Sequence, residues 1–352
     1  MDVTCHHDDL PKQEIAGFLA QFPNQGGLEH DPRWLTVLGD AMGHETWALI
    51  ARRAGAGSPI TGYLPLALLS SRLFGRFLVS LPYLNRAGVI STDTDSRDAL
   101  IEQSVTLANQ LNVQYLELRH DDQVVEHSHI TRNHDEKVVM TLDLPDAESL
   151  WDSLPSKVRN LIRKAQRSDL KITFGGLEHV EDFYSIFAVN MRDLGTPVYP
   201  RNLFTQILTQ FPDEAELGIV THEGFPIAGA LLLHDHTGEQ TITQVPSASC
   251  LRPFNAINAN MWMYHQLIQR AIARGSTCFD FGRTTPGSGT HRFKKQWKAQ
   301  PRPTTWQYHI RHGQPDAMRP NHPSMQRKIE VWKKLPVWVT RLVGPTLVRG
   351  IP

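Results

Sequence analysis

The chain has 352 residues, of which 40% are hydrophobic and 20% charged, with 24 Gly, 23 Pro, and 36 Lys plus Arg balanced by 36 Asp plus Glu. This length asks for two domains of ordinary size, and the composition excludes disorder, collagen and coiled coil. Zero net charge excludes a global field that draws the protein to nucleic acid or lipid, so any such attraction must be local.

At the N-terminus, MDVTCHHDDLPKQE carries acids and histidines where a signal peptide has cations and then an apolar run; Cys5, Cys250 and Cys278 form neither a CxxC nor an even set. Cytoplasmic residence is expected. Residues 47–53 and 60–69 are apolar, strand-like runs joined by AGAGSP, a hairpin signal. Residues 77–81 and 88–90 read as further strand. Leu100, Ile101, Val105, Ala108 and Leu111 keep helical spacing across 96–112, and 114–119 is a strand.

In LWDSLPSKVRNLIRKAQRSDLKITF, Ser153 or Ser156 is placed to cap a helix whose Leu161, Ile162 and Ala165 face a core. Its other face carries Lys157, Arg159, Arg163, Lys164 and Arg167 at i, i+4 spacings, either a dock for phosphates or a solvated surface. Residues 183–194 and 202–211 are amphipathic helices joined by GTPVYP. Residues 217–220 and 227–233 form a hairpin around THEGFP, and 239–245 extends it. Ile257, Met261, Tyr264, Ile268 and Ile272 then share one helical face that ends at Gly275, where a C-cap glycine belongs, and the strand CFDFGR follows. Helix then strand, with an acid between apolar residues (Glu117, then Asp280), recurs at an offset of about 163 residues. The recurrence predicts two copies of one mixed α/β fold.

Residues 306–310 read as the last strand, and the tail from Arg311 has eight Lys or Arg against Asp316 and Glu330. Trp332, Leu335, Trp338, Val339 and Leu342 add an apolar stripe at helical spacing. Two readings stay open for it: contact with an anionic membrane surface, and docking onto its own domain. Residues 335–348 are too few to span a bilayer. With 17 histidines but no HExxH, no metal site is expected.

The segment FDFGRTTPGSGTHRFKKQWKAQPRP concentrates chemistry. After Asp280 it holds Arg283, Arg292, Lys294, Lys295, Lys298 and Arg302 around Gly282, Gly287 and Gly289, with no acid. Glycine-rich backbone flanked by cations suits a phosphate, or the oxyanion that develops in acyl transfer. It is not a P-loop, and the chain lacks the R/Q-x-x-G-x-G/A pyrophosphate loop of acetyl-CoA-dependent enzymes. Asp280 is a candidate general base or a structural acid beside Arg283; Tyr199 of GTPVYP is a candidate general acid, lid or packing residue.

SKVRNLIRKA, NMRDLGTPVYP and FDFGRTTPGSGTHRFKKQW, with SRLFGRFLVSLPYLNRAG, LELRH and the ending GPTLVRGIP, resemble the FemAB-like proteins found with exosortase/PEP-CTERM systems in exopolysaccharide gene clusters. The resemblance implies an α/β protein of two tandem GNAT-like domains, taken as 1–145 and 146–312, followed by a basic tail, 313–352. It implies N-acyl transfer to an amine of a glycan or cell-envelope precursor, with aminoacyl-tRNA or acyl-CoA as the donor substrate and no tightly bound cofactor. Cytoplasmic residence, with the basic tail at the inner membrane face where it meets lipid, would suit work on lipid-linked glycans. The family's Phe-Lys pair near the transferred group matches Phe293 and Lys294. That makes Lys294 the first catalytic candidate, beside Asp280 and Tyr199. The expected binding set is Arg283, Gly287, Gly289, Arg292, Phe293, Lys295, Arg159, Arg163, Lys164 and Arg192. One departure is Lys298 after KKQW, where relatives commonly have Gly, which predicts a different local turn. A reading from another class is a non-catalytic GNAT-fold scaffold in polysaccharide assembly.

Overall fold

The computed structural model describes every residue except 8, 54–56, 122–123, 135–136, 239, 314, 316–322 and 352. The expected hairpin tip at 54–56, the strand start at Glu239, and Asp316 and Arg319 of the tail lie outside the described residues. The chain divides into one unit of residues 1–137, 303–326 and 346–352, and another of residues 138–302 and 327–345.

The first unit contains β1 (Asp2–His6), α1 (Lys12–Leu19), α2 (Arg33–Met42), β2 (Glu45–Arg52), β3 (Ile60–Ser71), β4 (Gly75–Val79), β5 (Ile90–Ser91), α3 (Thr94–Gln110), β6 (Tyr115–His120) and β7 (Arg132–His134). The apolar runs of β2 and β3 are buried along almost their whole length and pair antiparallel, Leu49 opposite Leu64. Helix α3 starts where Asp93 accepts a hydrogen bond from the Ser96 N–H, satisfying one of the donors a helix N-terminus leaves open. Its Leu100, Ile101 and Ala108 join Leu49, Leu64 and Leu116 in one core cluster.

The second unit contains β8 (Val138–Asp143), α4 (Ala147–Ser153), α5 (Ser156–Ala165), β9 (Leu170–Gly175), α6 (Val180–Leu194), α7 (Arg201–Gln210), β10 (Ala215–His222), β11 (Phe225–Asp235), β12 (Ile242–Cys250), α8 (Ala259–Ala273), β13 (Cys278–Thr284), α9 (Gly289–Gln296) and β14 (Gln300–Pro303). Its sheet is covered on both faces. A Cβ at Gly218 would meet Leu267 of α8, whereas one at the neighbouring-strand Gly229 would meet Phe183 of α6. Phe279 and Trp297 are fully buried in the cluster with α8, each contributing on the order of 2 kcal/mol by apolar burial.

Three local expectations are corrected. Neither Ser153 nor Ser156 caps a helix: Asp146 caps α4 through the Ser149 N–H, and α5 opens directly after Pro155 with Ser156 as its first residue. Ile257 belongs to a 3-10 turn, Arg252–Ile257, before α8 rather than to the helix itself. The tail is not one stripe; it forms α10 (Pro323–Trp332) and α11 (Val337–Val348), separated at Pro336, which lacks the N–H a continuous helix needs.

The largest correction concerns residues 306–310. They form β15 (Thr305–Ile310), which pairs with β6 and β7 in the first sheet, while residues 138–143, expected in the first domain, pair with β13 in the second. Strand pairing is set by backbone partners far away in sequence, so proximity along the chain cannot assign it. Apart from β5, which pairs with β3 off the main path, the two sheets then follow the same strand order: β1-β2-β3-β4-β6-β15-β7 and β9-β10-β11-β12-β13-β8-β14. In each, a parallel pair is joined through a helix: β4 with β6 through α3, β12 with β13 through α8.

Candidate active site

The parallel pair of the second sheet is short. Ile242 lies opposite Cys278, Thr243 opposite Phe279, and Gln244 opposite Asp280; beyond that register β12 continues to Cys250 and β13 to Thr284 without pairing each other. Asp280 is thus the last residue of β13 paired with β12, and it is buried. Its carboxylate accepts the Gly282 N–H at 2.6 Å within the bulge where the register against β8 shifts between Asp280 and Arg283. Gly282 has φ +80°, the left-handed region a side chain disfavours.

Lys294 meets this bulge from α9. Ser288 caps the helix by accepting the His291 N–H. On the same helix the Phe293 ring packs edge-on against Tyr264 of α8 at 4.9 Å, with Phe281 and Trp297 alongside. The Lys294 ammonium donates to the Gly282 carbonyl at 2.8 Å and the Arg283 carbonyl at 3.2 Å, and only 7% of the residue is exposed. Burial pulls its pKa down to about 8 from the ordinary 10.5, and the nearby Asp280 charge holds it from falling further. The arrangement is an ammonium, close to titrating near neutral pH, fixed where two strands part; two of its three N–H donors are held by carbonyls. Burial likewise pushes the Tyr264 phenol up to about 12.

Around it the expected set separates. Arg283 supplies one of the carbonyls. Gly287, with φ +79°, turns the chain into α9; its carbonyl accepts from Arg292 at 2.7 Å and its N–H donates to His291 Nδ1 at 3.3 Å. Gly289 is the first residue of the helix, and Arg292 and Lys295 are exposed on it. Lys298 adopts φ +65°, a left-handed conformation that glycine takes more readily than lysine. On α5, which also packs on α8, Arg159 lies 3.7 Å from Asp152, the Arg163 guanidinium sits over the Trp151 ring at 5.4 Å, and Lys164 is exposed. Arg192 of α6 binds Asp193 at 2.6 Å and the Leu335 carbonyl at 3.2 Å. The Tyr199 ring stacks on Phe187, and its carbonyl accepts from the Tyr184 hydroxyl. Sequence reasoning missed the aromatic wall of Tyr264, Phe281 and Trp297: each reads as a core residue, and only the packing of α8 against α9 brings them to Phe293.

Residues 153–295, from the end of α4 to Lys295, match the family described as Acetyltransferase (GNAT) domain. No curated protein matches the chain. Among solved structures the chain is similar to FemX, with a TM-score of 0.62 and 13% identity over 88% of this chain and 97% of that one. It is similar to L-PGS from Bacillus licheniformis, with a TM-score of 0.57 and 15% identity over 96% and 98%. It is also similar to a tandem GNAT protein from the clavulanic acid biosynthesis pathway, with a TM-score of 0.55 and 10% identity over 89% and 100%. The chain is therefore an α/β protein of two tandem GNAT-like units, and the match to the GNAT-domain family falls within the second.

Proposed function

We propose that the protein is a FemAB-like N-acyltransferase that moves an aminoacyl or acyl group onto an amine of a glycan or cell-envelope precursor, in the setting of exopolysaccharide and PEP-CTERM systems. The observation that carries the reading is the buried Lys294 ammonium fixed where β12 and β13 separate. In the reaction the acceptor nitrogen attacks the donor carbonyl carbon, the carbonyl electrons move onto oxygen, and the tetrahedral oxyanion collapses with loss of a ribose hydroxyl or a thiol, the nitrogen giving up a proton. An ammonium held in place by two carbonyls needs little reorganisation to meet the charge that appears only in the transition state. Asp280, buried and hydrogen-bonded to Gly282, serves this ammonium as counter-charge.

Between donors, the segment before α8 favours aminoacyl-tRNA. Where a glycine loop would offer N–H groups to a pyrophosphate, this chain has the turn Arg252–Ile257 and then Asn258 at φ +59°, and the exposed cations of α5 suit a phosphate backbone. The test is transfer from labelled aminoacyl-tRNAs and labelled acyl-CoAs to an amino-sugar acceptor, with Lys294→Ala alongside. Transfer that falls about a hundredfold in the variant supports the reading. Transfer from neither donor, with polymer production unchanged in a Lys294→Ala strain, selects the scaffold reading instead.

A further inference from the structure

Helix α11 is apolar on two opposite faces, and among the described residues only one has a partner. On the inner face Thr340 is buried and Gly344 sits against Val198, so close that a Cβ at residue 344 would come within 2.8 Å of a Val198 methyl. This seats the helix on the second unit, and Arg341 reinforces it by reaching Glu181 at 3.4 Å and the Tyr184 ring at 5.0 Å. On the outer face Trp338 and Leu342, one turn apart, are 69% and 72% exposed; Val343 at its edge is 40% exposed, and Val331 of α10 is 63% exposed. These are four of the ten large apolar side chains exposed among the described residues, gathered within thirteen positions. A soluble surface rarely concentrates apolar groups in this way without something to cover them.

The charges beside this face indicate what covers it. Residues 326–343 carry Arg327, Lys328, Lys333, Lys334 and Arg341 against the single acid Glu330, which Lys333 already binds at 2.7 Å. Arg327, Lys328 and Lys334 are exposed. In a chain whose overall charge is zero, this local excess is complementary to an anionic surface, and an exposed tryptophan beside leucine and lysine is the side-chain set of a bilayer interface. No helix among the described residues is long and apolar enough to cross a membrane, so the contact must be in the plane of the surface. We infer that the outer face of α10 and α11 is a docking surface for the headgroup region of an anionic bilayer, with Trp338 and Leu342 inserted and the cations against the headgroups. The inference uses none of the residues assigned to acyl transfer and stands or falls separately from it.

The test is co-sedimentation of the full chain with vesicles of phosphatidylcholine alone and of phosphatidylcholine mixed with phosphatidylglycerol. The expected result is binding to the mixed vesicles only, weakened by salt. The double variant Trp338→Ser, Leu342→Ser should bind at least tenfold less while keeping the circular dichroism spectrum and thermal midpoint of the parent, because both side chains are exposed. Failure to bind anionic vesicles overturns the inference. So does equal binding by the double variant, and so does a parent dimer in solution that the double variant converts to monomer, which assigns the face to a second copy of the chain.

Discussion

The two units place an acid at the same point of the same frame and neutralise it differently. Glu117 ends the parallel register of β4 and β6, opposite Val79, as Asp280 ends that of β12 and β13, opposite Gln244. Two residues further on, the same offset of 163 pairs Arg119 with Gly282. In the first unit Arg119 answers the acid from its own strand: it binds Glu117 at 2.7 Å, donates to the Leu84 carbonyl at 2.7 Å, and lies under the Trp306 ring of β15 at 3.9 Å. Both side chains are at most 4% exposed. In the second unit the strand has no side chain at that position, and the cation comes from α9 over the glycine. A guanidinium stays charged at any working pH and spends its fork on fixed partners, whereas a buried ammonium can titrate and keeps a donor in reserve. The duplicated frame has thus become structural in one copy and is suited to chemistry in the other.

The comparison breaks most readily in the first unit. Arg119→Met should cost about 3–5 kcal/mol in urea unfolding, because it strands a buried carboxylate, while adding Glu117→Leu should recover most of the loss. A single-variant cost below about 1 kcal/mol would mean that the pair is not structural. Next in size, Lys294→Met should slow acyl transfer about a hundredfold, roughly 3 kcal/mol in barrier, with the urea midpoint retained or raised.

A pH series sharpens the contrast further. Lys294 titrates near 8 in the fold and at its ordinary 10.5 when unfolded, so between these values the unfolded chain binds the extra proton. Stability should therefore rise with pH across that window, and Lys294→Met should remove the rise. Transfer that uses the ammonium, as proposed above, should show a falling limb near pH 8 in the parent that is absent from the variant. Smallest, Gly282→Ala should cost about 1–2 kcal/mol from its positive φ alone, since the added Cβ meets the Val245 carbonyl and Lys294 Nζ no closer than 3.7 Å. A thermal-melt series in which alanine is neutral would show that the bulge does not hold this backbone.

Much of this frame is legible along the chain. The hairpins of β2 with β3 and β10 with β11 follow from apolar runs interrupted by turn residues, and α3 and α8 from 3.6-residue spacing, with Gly275 marking the end of α8. The repeat itself shows in Glu117 and Asp280. Lys294 stood out because cations crowd its segment and because a family resemblance pointed to it, although nothing local marks it apart from Lys295, which the helix turns to solvent.

Local spacing and composition by themselves determined the element types, the internal repeat and the charged late segment, since these depend on residues a few positions apart. The tertiary structure alone decided that β15 returns to the first sheet, that Lys294 rather than Lys295 is desolvated over Gly282, and that α11 leaves Trp338 outward. Each of those outcomes depends on partners more than ten residues away, whose approach is governed by the packing of whole elements rather than by the preferences of neighbouring residues.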